Sequence, residues 1–94
     1  MLHTPVMIRP LPTIEETRTS SGPTYLDMVV SLTRNTKVVS FLGLPGLTVP
    51  CGFDPRGLPV AFQLIGKPFG EPELLAVGHR YEQAAGWAGR TPDL

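Results

Sequence analysis

Residues 41–66 read FLGLPGLTVPCGF-DPRG-LPVAFQLIG, two apolar runs separated by a turn signal. The runs over residues 47–53 and 58–65 have the length of strands and are rich in Val, Leu, Phe and Ile. In DPRG an aspartate opens the turn, a proline fixes the next φ and a glycine closes it, which is the chemistry of a type I turn. The sequence therefore predicts an antiparallel hairpin.

The second run predicts a sheet that is covered on both faces. Alternate positions of residues 58–65 point to opposite faces, and both sets are largely apolar. Gln63 is the exception, because a buried amide without partners costs about 1–3 kcal/mol. We expect it to be satisfied inside the structure, with a place in the lining of a pocket as the alternative. Pro50 and Pro59 should lie at strand ends, at a bulge, or with the ring nitrogen facing away from the paired strand.

Helical spacing of apolar residues occurs on either side of the hairpin. Residues 24–34 have this spacing, and Pro23 suits the first turn of a helix. A second helix is predicted to begin near Gly70, because acidic residues and a proline follow it. It should end before Gly86, which is suited to a left-handed C-terminal cap.

The amino-terminal region, residues 1–23, contains four prolines and predicts an extended or looped segment. A short strand is expected at residues 6–8, Val-Met-Ile, and an exposed connection at residues 15–22. The predicted organisation is thus an extended Pro-rich segment over residues 1–23 and a folded part over residues 24–94.

Composition argues against several classes of partner. Eight basic and eight acidic residues give a formal charge of zero, and no cluster of cations could neutralise successive phosphates, which argues against nucleic acid. No apolar run reaches the roughly 18 residues that cross a bilayer, and the start lacks the pattern of a secretory signal. A single cysteine allows no internal disulfide, so the reducing cytoplasm is the expected compartment.

The reactive side chains do not form a recognisable set. Cys51 with His3 or His79 could make a thiolate and base, but a lone cysteine between Pro50 and Gly52 in an apolar strand is more often a small buried hydrophobe. Two histidines and one cysteine do not supply the three or four ligands of a zinc site. The sequence predicts no catalytic residue, no metal and no cofactor.

Three motifs, taken in order, resemble the carboxy-terminal end of the amidase signature family. They are GLPGLTVPCGF at residues 43–53, GLPVAFQLIG at residues 57–66, and residues 74–87, LLAVGHRYEQAAGW. The resemblance implies an α/β fold with a large mixed sheet wrapped by helices, and hydrolysis of amide C–N bonds. We therefore expect a C-terminal fragment of that fold, containing an antiparallel hairpin and two helices, with residues 24–94 as its domain part.

The resemblance also implies a catalytic triad of two serines and a lysine, supplied by a Gly/Ser-rich segment and the strand before it. No such segment occurs here, and none of the serines or lysines has the required context. These residues are Ser20, Ser21, Ser31, Ser40, Lys37 and Lys67. By resemblance Ser40 lies toward the substrate side of the sheet, so we name Ser40 and Gln63 as substrate-lining residues.

The resulting hypothesis is the C-terminal portion of an amidase-family hydrolase, inactive alone. Its expected partners are the missing N-terminal amidase portion or a second copy. The alternative is a noncatalytic binding or oligomerisation module derived from the same fold, which would cover its exposed strands by association. An enzyme built on Cys51 is a third reading, and it predicts fast alkylation of the thiol at neutral pH.

Overall fold

The computed structural model describes residues 1–93 and contains three strands and three helices in that range. In chain order the elements are β1 (Leu2–Pro5), α1 (Ile14–Thr19), α2 (Gly22–Leu42), β2 (Gly46–Phe53), β3 (Pro59–Ile65) and α3 (Glu71–Ala85). The predicted second part of the chain ends at Leu94, which lies outside the described residues. Within residues 1–93, no helix combines the length and the hydropathy that a membrane crossing requires.

The sheet has the order β1-β3-β2, and both pairings are antiparallel. β2 and β3 form the predicted hairpin, with Val49 opposite Phe62 and Thr48 opposite Gln63. The predicted strand bounds differ from the observed ones by one residue, at the start of each strand. The architecture is therefore α/β in the broad sense, with a small antiparallel sheet.

The predicted turn between β2 and β3 is confirmed. The Gly57 N–H donates to the Asp54 carbonyl at 2.9 Å, the bond between the first and last residues of a β-turn. The Asp54 carboxylate also accepts from the N–H groups of Arg56 and Leu58, at 2.8 and 3.0 Å. One aspartate side chain therefore satisfies the backbone donors that this tight turn leaves without strand partners.

Pro50 lies next to a bulge and faces away from β3, as the sequence requires. Pairing is irregular between Pro50 and Gly52, and Pro50 is opposite Ala61. The Ala61 carbonyl accepts from the Val6 N–H at 3.3 Å, so the polar groups of Ala61 point away from β2. Since opposite residues of this kind do not exchange backbone bonds, the Pro50 nitrogen points to the open edge of β2 and removes no bond from the hairpin.

α3 packs on one face of the sheet and forms the core there. The buried residues of this cluster are Val49, Leu64 and Leu74, with Leu47, Phe62 and Tyr81 packed against them. Gly78 allows the close approach, because a Cβ built on it would lie 2.6 Å from Leu47 Cδ2. The helix ends at Gly86 with φ of 70°, which confirms the predicted left-handed cap.

α2 supplies the cover on the opposite face, though sparsely. Only Met28 and Val39 are buried among its 21 residues. Val39 lies against the start of β2, since its Cγ1 would be 3.3 Å from a Cβ on Gly46. The predicted cover on both sides is thus present, but α2 leaves most of its apolar side chains in solvent.

The molecule is flat and exposes much surface. Its principal extents are 41 × 34 × 13 Å, and its radius of gyration is 15.1 Å, against about 12.4 Å for a compact domain of this length. The accessible surface is 6932 Å², whereas a compact chain of 10.2 kDa exposes about 5,300 Å². The excess of roughly 1,600 Å² comes from elements that lie side by side instead of enclosing a core.

The short strand expected at residues 6–8 is wrong, because β1 lies at Leu2–Pro5 instead. β1 pairs with residues 62–65 of β3, and Val6 adds one last bond to Ala61. The next residue of β3 that would face β1 is Pro59, which has no N–H to continue the ladder. The chain therefore separates from β3 where the strand was expected.

The exposed connection expected at residues 15–22 contains helix α1. Thr13 and Glu16 form a capping box: the Glu16 N–H donates to Thr13 Oγ1 at 3.1 Å, and the Thr13 N–H donates to Glu16 Oε2 at 2.6 Å. These reciprocal bonds satisfy helix-terminal donors that an uncapped segment would leave free. The residues are exposed, as expected, but they are helical.

The helix expected over residues 24–34 is eight residues longer at its carboxyl end and reaches Leu42. No glycine or proline interrupts residues 24–42, so nothing local ends it earlier. It stops at Gly43, whose φ is 66°, with the Gly43 N–H donating to the Ser40 carbonyl at 3.2 Å. The expected count of two helices is accordingly corrected to three.

Candidate functional site

Gln63 joins three elements at the centre of the molecule. Its side chain is buried, with 4% of the residue exposed, on the face of β3 opposite α3. Its Nε2 donates to Thr4 Oγ1 of β1 at 2.9 Å and to the Asn35 carbonyl of α2 at 3.1 Å. The predicted internal satisfaction of the amide is confirmed. β1, β3 and α2 are therefore held in one arrangement by a single side chain.

Ser40, the other expected substrate-lining residue, lies in the last turn of α2 and is exposed. It is five residues beyond Asn35 on the same helix, about 7.5 Å along the axis. The structure brings Gln63 together with Thr4 and Asn35, and it leaves Ser40 facing solvent. Gln63 can thus act on the position of Ser40 only through α2.

Residues 6–12, which we name the strap, run from the end of β1 to α1. Polar bonds hold the strap and the residue before it: Asn35 Nδ2 donates to the Pro5 carbonyl at 2.8 Å, and Arg9 Nη1 donates to Ser31 Oγ at 3.3 Å. At its far end Arg56 Nη1 donates to the Leu11 carbonyl at 2.9 Å. The strap is therefore connected both to α2 and to the hairpin turn.

A half-open groove of about 480 Å³ separates the strap from the start of β3. Its walls are mostly apolar, and Arg9, Asp54 and Arg56 are its charged members. The other lining residues are Met7, Ile8, Pro10, Leu11, Pro55, Leu58, Pro59, Val60 and Ala61. Its size and lining fall in the range of small-molecule sites.

The charged groups beside this groove largely satisfy one another. Arg56 Nη2 and Nε bind Asp54 Oδ2 at 2.8 and 2.9 Å. Desolvation acts to raise the pKa of Asp54, but the Leu58 N–H and Arg56 outweigh it, so the pKa is lowered. The Thr13 N–H and hydroxyl lower the pKa of Glu16 in the same way. Both carboxylates are held in the ionised form, which suits structural acceptors and not general acids.

Cys51 and the two histidines have separate surroundings. Cys51 is half-buried, and its Sγ donates to the Val60 carbonyl at 3.6 Å. His3 is exposed on β1 and meets the edge of Phe62, at 6.4 Å between ring centroids. His79 is exposed on α3. In residues 1–93 no hydrogen bond connects the thiol to a histidine, so the described geometry gives this cysteine no base.

The serine hydroxyls that make hydrogen bonds use them on the backbone. Ser20 Oγ donates to the Glu16 carbonyl at 2.6 Å, and Ser31 Oγ donates to the Met28 carbonyl at 2.9 Å. Lys37 and Lys67 are exposed. A serine becomes nucleophilic when a neighbouring base accepts its proton, and a backbone carbonyl cannot do so at neutral pH. The arrangement can orient and support, but it supplies no activated nucleophile in the described part.

Sequence reasoning missed the strap, its bonds to Asn35 and Arg56, and the groove beside it. These contacts join residues 22 to 45 positions apart, which no local pattern specifies. The signal for α1 was present, since Thr13-Ile-Glu-Glu16 has the spacing of a capping box.

Comparison with known proteins agrees with this α/β fragment of sheet and helices. The sequence pattern of the family described as Amidase matches residues 1–75, and the chain belongs to that family.

Its similar curated proteins include three that are each named as the A-type component of glutamyl-tRNA(Gln) amidotransferase. The protein from Brevibacillus brevis is 49% identical over 55 residues, 58% of this chain and 11% of its own length. Those from Prochlorococcus marinus and Microcystis aeruginosa are 56% and 52% identical over 54 and 56 residues, covering 57% and 60% of this chain. The match spans 11% and 12% of their own lengths, so the chain covers about a tenth of these relatives.

Proposed function

We propose that this chain is the C-terminal portion of an amidase-family enzyme, to which it contributes sheet and helices while another part supplies the reacting groups. The observation that carries the proposal is the family match over residues 1–75, in a chain whose hydrogen-bonded serine hydroxyls all donate to backbone carbonyls. On this account the isolated chain hydrolyses no amide bond.

Gln63 has an indirect role in this proposal. Its bonds to Thr4 and Asn35 fix α2 against the sheet, and α2 carries Ser40 at its exposed end. In the whole enzyme Ser40 lines the substrate side, and Gln63 positions the helix that presents it. A buried, fully used amide suits this supporting task better than direct contact with a ligand.

The chemistry of the whole enzyme is proposed from the relatives' names. Those names describe one component of an amidotransferase for glutamyl-tRNA(Gln). We assign this chain to an enzyme that breaks an amide C–N bond, and the polypeptide that completes it is its partner. Neither role requires a cofactor or a metal from this chain.

The test is a hydrolysis assay on the purified 94-residue chain, with simple amides and esters as substrates. Product formation no faster than in buffer is expected, because no base reaches a serine or the cysteine in the described part of the chain. Turnover that persists through two further purification steps and is abolished by Ser31→Ala, Ser40→Ala or Cys51→Ala would overturn the proposal. Arg18→Ala, a change on the exposed face of α1, is the matched control.

A noncatalytic binding or oligomerisation module is the second candidate. The exposed surface of 6932 Å² favours it, because association would hide the uncovered apolar side chains. Sedimentation with amide hydrogen exchange separates the two functions. A monodisperse oligomer with protected strands supports the module, whereas incomplete protection without a defined oligomer supports the portion of a larger enzyme.

A further inference from the structure

Two phenylalanines are more exposed than any other large apolar side chain in residues 1–93. Phe41 and Phe69 are 91% and 93% exposed, so their rings make almost no contact within the chain. A fully exposed aromatic ring presents a large apolar area to water, and aromatic anchors of this kind dominate the energetics of protein interfaces.

Both phenylalanines belong to the same end of the sheet. One rung of the sheet there consists of Leu2, Ile65 and Gly46, and beyond it the Gly66 N–H donates to the Pro45 carbonyl at 3.0 Å. Phe41 precedes this rung in the last turn of α2, and Phe69 follows it in the turn before α3. We name this the sheet-end surface. Its exposed apolar members are Leu2, Phe41, Leu42 and Phe69.

Phe69 is also held in an unfavourable backbone conformation. Its φ is 60°, and it is the one residue other than glycine with positive φ in the described part of the chain. Bulky side chains rarely adopt this region, and strain of this kind persists where other contacts offset it. The Gly70 N–H donates to the Lys67 carbonyl at 2.9 Å and shapes the turn, but the ring itself gains nothing from the chain.

The exposed area indicates a large covering polypeptide and not a second copy. The excess surface is roughly 1,600 Å², and a standard interface hides about 800 Å² on each partner. A two-fold dimer hides one patch per copy, so it would leave about half of this excess in solvent. Exposed apolar residues also occur on separate elements, with Ile14 on α1, Val30 on α2 and Leu75 on α3.

We propose that the sheet-end surface is the principal docking site for the amidase-family polypeptide that completes the enzyme, with Phe41 and Phe69 inserted into apolar pockets of that partner. The inference rests on the proposed function and names the surface that makes it work. The strain at Phe69 is then offset on docking, when the ring leaves water.

The test uses co-expression with a defined probe, the Brevibacillus brevis relative shortened by the region that this chain matches. The unchanged chain should keep the probe soluble and co-purify with it. Phe41→Ser and Phe69→Ser should each lower the recovered complex about tenfold or more. Ile14→Ser is the matched control, because Ile14 is 79% exposed but lies on α1, away from this end of the sheet.

The outcomes separate the two proposals. If the unchanged chain binds and both Phe variants bind equally well, the docking site is wrong while the proposed function stands. Equal losses for Ile14→Ser and the Phe variants likewise contradict a principal site at the sheet end. If the unchanged chain recovers no soluble probe, the proposed function fails and this inference fails with it.

A second measurement does not depend on the probe. Phe69→Gly removes the backbone strain, since glycine accepts positive φ without cost, so the isolated variant should melt at a higher temperature than the unchanged chain. The same variant should bind the probe at least as poorly as Phe69→Ser. A lower melting temperature for Phe69→Gly would contradict the claim that the ring is unsupported in the isolated chain.

Discussion

Gln63 donates to the backbone carbonyl of Asn35 at 3.1 Å, and this bond connects the central strand to the long helix α2. Few other contacts do so, since α2 buries only Met28 and Val39. The position of α2, and of Ser40 at its end, therefore depends on a single amide. This dependence makes Gln63 the most informative site for substitution.

Gln63→Leu should loosen α2 while leaving the hairpin paired. The leucine keeps the volume but makes neither hydrogen bond, so we expect a loss of about 1–2 kcal/mol. Hydrogen exchange should become faster in α2 and much less so in β2. Thr48→Val is the control, because Thr48 is opposite Gln63 but exposed. Unchanged exchange in α2 would show that the amide does not hold the helix.

Gly78 sets the distance between α3 and the sheet. Gly78→Val should destabilise the chain by about 1–3 kcal/mol, because its side chain would occupy the space of Leu47 Cδ2. Gly78→Ala should be milder, since the gain of about 1 kcal/mol in helix propensity opposes the clash. Urea unfolding measures both. Adding Leu47→Ala should make Gly78→Val less harmful; independent, additive effects would contradict this contact.

Gly86→Ala should destabilise the chain by about 1 kcal/mol. The Gly86 φ is 70°, and a Cβ there would meet no atom within 4 Å, so the cost is that of the backbone conformation alone. Gly86→Asn should cost less, because asparagine tolerates this region better than alanine. An unchanged melting midpoint for Gly86→Ala would mean that the cap adjusts freely.

Stability should fall in acid because of Glu16 and Asp54. The pKa of each carboxyl is lowered in the folded chain, so its contribution is present above the ordinary carboxyl pKa and is lost as the pH falls through the folded value. The loss should therefore begin below about pH 4. A Glu16→Gln, Asp54→Asn double variant should show a smaller drop in melting midpoint between about pH 5 and pH 3. Equal drops would assign the acid sensitivity to other groups.

The hairpin and α3 could be predicted from the sequence because their signals are local. DPRG specifies the turn, and Gly86 specifies the end of the last helix. β1 and the second half of α2 depend on distant contacts: Thr4 reaches Gln63 across 59 residues, and Asn35 reaches Gln63 across 28. Periodicity cannot encode such pairs. The need of Gln63 for partners was predictable, but the identity of those partners was not.

The central claim is that this chain is part of a larger body, and hydrogen exchange on the isolated chain tests it most directly. We expect protection confined to β2, β3 and α3, which hold the buried cluster of Val49, Leu64 and Leu74. α1, α2 and the strap should exchange at nearly the rates of an unfolded chain. A monodisperse monomer in which α2 stays protected for hours, as strongly as the hairpin, would contradict the claim.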